Sequence, residues 1–166
     1  MVFSVREWID LLRNTPNSKI LRHKVIKVFI AALFIGLTFL QILGLPGQIK
    51  HMQREEGFSL ILEIALTLIV GVWMLFGQTA LFSLWKIVQE MQKNQFYGVL
   101  SLFWMKNLLT IFKLATLIPV LLFLLLISQA DDPGFFVLLT VVFLILSTFT
   151  LMISLLIDEI SINIAS

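Results

Sequence analysis

The sequence predicts an all-α membrane protein: a four-transmembrane-helix bundle with an N-terminal amphipathic helix at the interface and both termini in the cytoplasm. Three observations carry this expectation. Hydrophobic residues make up 59% and charged residues 13% of the 166 positions, against about half and about a quarter in an ordinary soluble domain. The apolar residues are gathered into four long runs. The lysines and arginines alternate in density from loop to loop, as they do when a chain crosses a bilayer back and forth.

The first element is the segment at about 2–14. In "FSVREWIDLLRN" the apolar residues Val5, Trp8, Ile9 and Leu12 share one helical face, with Arg6, Asp10 and Arg13 opposite. That pattern suits a short helix lying in the inner interface. "TPN" at Thr15 to Asn17 breaks it, and Ser18 is placed to cap the helix that follows. The basic group "KILRHKVIK" offers Lys19, Arg22, Lys24 and Lys27 to anionic lipid headgroups. The other reading of these cations is that they only fix topology.

A membrane-crossing helix needs roughly 20 mostly apolar residues to cover ~30 Å of hydrocarbon. Four spans meet this at about 25–45, 58–86, 107–128 and 134–157, all within a single domain over 1–166. The first ends at Pro46-Gly47. It follows a charged segment, and "LGLPGQI" has no small-x-small cleavage pattern, so it is expected to be a retained anchor. The second is longer than a span requires, which implies tilt or an extension beyond the bilayer. Helix is expected to continue through "LWKIVQEMQKN" to Asn94 and turn through Gly98. "FYGVLSLFWM" is then either a short interfacial segment or the start of a plain helical hairpin. The third span contains Lys113 and Pro119, and Pro119 is expected to kink it. The fourth carries no charge; Asp132 is its expected N-cap and Pro133 its first helical residue.

Orientation follows from the short loops. Arg6, Arg13, Lys19, Arg22, Lys24 and Lys27 precede span one, and Lys86, Lys93 and Lys106 lie between spans two and three. The first loop has only Lys50 and Arg54, and "SQADDPG" has no cation. Both termini are therefore expected in the cytoplasm. Trp8, Trp85 and Trp104 fall near the inner interface, where aromatic belts form, and Trp73 lies within span two.

Polar residues inside the spans are the first functional candidates, because burying them is costly. The principal ones are Gln41, Glu63, Gln78 and Lys113, with hydroxyls such as Thr110, Thr116, Ser147, Thr148, Thr150 and Ser154. Glu63 and Lys113 tempt as an ion pair, but span boundaries put them on opposite sides of the midplane. The same depth reasoning pairs Gln41 with Glu63 near the outside and Gln78 with Lys113 near the inside. Glu63 also has two other roles open to it, proton or ion handling and an outward contact to Lys50 or Arg54.

The chemistry this sequence disfavours is broad. Without cysteine there is no disulfide, thiolate catalysis or thiolate metal site. His23 and His51 fall on opposite sides of the membrane and cannot share a site. A Glu-Glu-x-x-x-Arg protease motif fails at Leu60, where arginine is needed after Glu55-Glu56. "ADDPG" supplies two acids, far short of the six or more oxygens that calcium takes. No catalytic residue, metal site or cofactor is expected, and the only basic cluster abuts a span, which argues against nucleic acid.

From about Ala80 to Ile157 the chain resembles a family of small bacterial four-helix membrane proteins catalogued as a domain of unknown function. Many of its members are encoded beside a Cro/CI-type helix-turn-helix regulator. The resemblance rests on "ALFSLWKIVQEMQKNQFYG", "MKNLLTI" and "ADDPGFFVLLTVVFLIL". The chain departs from that pattern at Tyr97-Gly98, where family members commonly have Phe-Ser, and in its ending "LIDEISINIAS". The resemblance implies a bacterial cytoplasmic membrane and an accessory role, with no catalytic residues to carry over. Two function classes follow. One is a non-enzymatic membrane partner, sensor-type regulator or immunity protein against a membrane-active peptide, contacting lipids and a membrane protein or peptide. The other is a small oligomeric transporter or channel with Glu63 as its coupling group.

Overall fold

The computed structural model describes residues 16–44, 60–93, 96–127 and 133–165. It is all α-helical, with four helices long and apolar enough to cross a membrane. Helix α1 spans Pro16–Phe39 and continues as a π-helical turn over Leu40–Gly44. Helix α2 spans Leu60–Gln92, α3 Val99–Leu126 and α4 Pro133–Ala165. The expected interfacial helix at 2–14 lies outside the described residues.

Element ends follow from local chemistry. Helix α1 opens on Pro16, whose missing N–H costs nothing at a first helical position. Ser18 therefore sits inside the first turn and is not the cap that the sequence suggested. Helix α2 runs past the apolar stretch to Gln92, as its helical pattern predicted, and the chain turns through Gly98 into α3. "VLSLFWM" belongs to α3 itself, so the connection between α2 and α3 is a plain hairpin. Pro119 lies within α3 and is fully buried, and α3 carries on through it as one helix to Leu126. Pro133 opens α4 as expected, whereas Asp132 lies outside the described residues.

Packing is confined in the main to chain neighbours: α1 on α2, α2 on α3, α3 on α4. Consecutive helices are antiparallel, so the start of α1 and the end of α4 lie at one end of the molecule. Helix α3 is central. At the lysine-rich end its Met105 and Leu108 pack with Ile87 of α2 and with Ile153, Ile157 and Ile160 of α4. At the other end Ile118, Leu122 and Leu126 pack with Leu66 of α2 and Leu139 of α4. Helix α1 touches α2 alone to any extent, so the arrangement is an open arc of four helices rather than a closed ring.

Candidate functional site

The polar side chains between helices fix the axial register. Gln78 of α2 turns its side-chain amide to α1, where Nε2 donates to Gln41 Oε1 at 2.8 Å and to Thr38 Oγ1 at 3.1 Å. The Thr38 hydroxyl itself donates to the Phe34 carbonyl, which leaves its oxygen to accept from Gln78. Beside this contact a side chain of α1 packs against the α2 backbone: a Cβ on Gly77 would stand 3.3 Å from Leu37 Cδ1. Small residues at such positions let membrane helices approach. Gln41 also sits in the π turn, a feature that recurs at functional positions in helices.

This geometry corrects both expected polar layers. Gln41 is level with Gln78, and Glu63 lies fifteen residues (63 to 78) away along α2, ~22 Å at helical rise. Gln41 is therefore engaged at the level of Gln78, far along the helix from position 63; the Glu63 side chain lies outside the described residues. The Gln78–Lys113 contact fails for a different reason. Asn107 Nδ2 of α3 donates to Ser83 Oγ of α2 at 2.9 Å. Counting six residues on from Asn107 and six back from Ser83 puts Lys113 level with Gly77, so its depth matches Gln78. Its facing does not. Gln78 turns its amide to α1, while Lys113 stands exposed on α3 and makes no hydrogen bond to it.

Sequence reasoning missed Thr38, Ser83 and Asn107. Ser83 is fully buried, donates to the Thr79 carbonyl at 3.0 Å and accepts from Asn107. An amide as strong as Asn107 at the start of a span was the available signal. Ser101, also fully buried, has no hydrogen-bond partner for its Oγ. Glu90 is buried as well and pairs with Lys93 at 2.8 Å. The hydroxyls of Thr110, Thr116, Thr148 and Thr150 each donate to the carbonyl four residues back, which satisfies them within their own helices.

The basic segment of α1 divides. Lys27 turns to α2, where Nζ donates to Gln92 Oε1 at 2.6 Å and lies 5.4 Å over the Trp85 ring. It is thereby drawn away from the lipid contact suggested for it. Arg22 and Lys24 are exposed, and the Lys19 side chain lies outside the described residues. An apolar crevice of about 170 Å³ opens between α3 and α4, lined by Pro119, Val120, Phe123, Leu139, Thr140 and Phe143. Among the described residues no group of three or more histidines and acids is disposed to hold a metal. In comparison with known proteins the chain matches no family model, no curated protein and no solved structure, so this geometry carries the functional reading.

Proposed function

We propose that this multi-pass membrane protein is a non-enzymatic accessory component of a bacterial cytoplasmic membrane, with both termini inside. Its work is recognition within or beside the bilayer, as a membrane partner, a sensor-type regulator or an immunity protein against a membrane-active peptide. The observation that carries this reading is the Gln78 contact: the amides at mid-depth join α1 to α2. Amides committed to each other in this way hold helices together and are not presented to a translocated substrate. The bacterial setting and the accessory role are supported by the sequence resemblance, and the inward termini by the lysine and arginine distribution.

Reconstitution into vesicles tests the reading directly. The expected result is no proton or ion flux above that of empty vesicles, in wild type and in Glu63→Gln alike. A flux abolished by Glu63→Gln selects the transporter instead. Orientation is checked by single-cysteine labelling, which is clean because the chain has no cysteine. A thiol at Ser166 should be reached only from the cytoplasm, and one at Ser128 only from outside.

A further inference from the structure

Residues Lys106, Thr110, Lys113, Leu117, Val120 and Leu124 of α3 are spaced by four, three, four, three and four, and all are exposed. That spacing places them on one face of the helix. We propose that this stripe binds an anionic phospholipid, with the phosphate held between Lys106 and Lys113 and an acyl chain laid along the apolar residues beyond. The stripe changes chemistry along its length as such a lipid does, from cationic to wholly apolar.

Lys113 is the anomaly that calls for a ligand. Level with Gly77, it lies nine residues, ~13 Å at helical rise, from the level of Lys86. A cation near the middle of the hydrocarbon needs a counter-charge or a route to water. Side chains lean toward the N-terminus of their helix, and α3 has its N-terminus at the lysine-rich end. The Lys113 ammonium is thus directed toward Lys106, seven residues or ~10 Å away, and its long stem closes much of that gap. The two ammoniums bracket a position that a headgroup phosphate can occupy at the edge of the hydrocarbon.

Among the described residues no carboxylate lies at that depth. Glu90 is taken by Lys93 near the end of α2. The Phe112–Phe149 ring contact sets the α3–α4 register and places Asp158 and Glu159 level with residues 103 and 102 of α3, on the headgroup side of Lys106. Glu63 lies fourteen residues (63 to 77) from the level of Lys113 in the opposite direction. A second copy in the same orientation brings none of these acids to Lys113, and the surrounding lipid supplies the counter-charge. The apolar crevice at Pro119, Val120 and Phe123 begins six residues beyond Lys113, in the path of the acyl chain. This inference requires only that the four helices cross a bilayer, and it stands whether or not the accessory role does.

The test uses the full chain, delipidated in mild detergent and offered equal amounts of phosphatidylglycerol and phosphatidylcholine with the same acyl chains. Retained lipid is counted by native mass spectrometry. Phosphatidylglycerol should be preferred, and Lys113→Gln and Lys106→Gln should each lower its retention by about fivefold. Lys113→Arg should keep the preference, Lys50→Gln should leave it unchanged, and inorganic phosphate should not displace the lipid. Equal retention of both lipids overturns the proposal, as does a preference that survives the Lys106→Gln/Lys113→Gln double variant. Displacement by inorganic phosphate, or loss only in Lys50→Gln, overturns it too. Lys106 and Lys113 are both exposed, and monodisperse elution of each variant confirms that the fold is intact.

Discussion

Helices α1 and α3 are both strongly apolar along their spans, yet they are joined to the rest of the molecule by different physics. Helix α3 buries nine residues, from Ser101 to Leu126, between α2 and α4. Among the described residues of α1 only Ile30 is buried. What ties α1 down is polar: Gln78 to Gln41 and Thr38, and Lys27 to Gln92 and the Trp85 ring. Lipid tails are as apolar as leucine, so a helix gains little in bilayer by burying leucine against leucine unless the shapes interlock. Helix α3 has interlocking neighbours on two sides. Helix α1 has one neighbour and relies on directional bonds.

The contrast can be broken first at α3. Leu122→Ala removes a side chain wedged among Leu66, Leu126 and Leu139, and should cost about 2–4 kcal/mol in reversible unfolding. Ile30→Ala should cost clearly less, and equal losses at the two positions would erase the distinction. Next comes Gln78→Leu, which removes both bonds to α1. A loss of about 1–2 kcal/mol is expected, coupled to Gln41→Ala in a double-mutant cycle but not to Leu122→Ala. Gly77→Ala sharpens the picture further, since its new methyl meets Leu37 at 3.3 Å. It should weaken the α1–α2 contact by about 1 kcal/mol or less and be relieved by Leu37→Ala. The smallest effect has the opposite sign. Ser101→Ala deletes a buried hydroxyl without a partner and should be neutral or stabilising, by about 0.5–1 kcal/mol.

The same contrast marks where the sequence was legible. Run length found all four helices, and the helical continuation to Gln92 and the start at Pro133 were visible in residue type. Run length also placed Lys113 at the depth of Gln78. It could not say which way either faced, because at that depth these helices are apolar around nearly their whole circumference. Gln41 was misplaced for a related reason. Hydropathy locates the ends of a span only to within a few turns, and α1 is offset along α2. Its last described residue, Gly44, lies level with position 75, fifteen residues (60 to 75) short of the start of α2. No local signal in the sequence encodes that offset.

The Gln78 contact has a consequence for axial position. An apolar helix surface in lipid is nearly indifferent to sliding along its own axis, since one methyl replaces another at each step. Thr38 and Gln41 stand about one turn apart and both accept from the same amide. Together they act as an indexing pin with two notches. Displacing α1 by a full turn trades one acceptor for the other and strands a hydrogen in hydrocarbon, so intermediate positions are excluded and α1 is held to a discrete height.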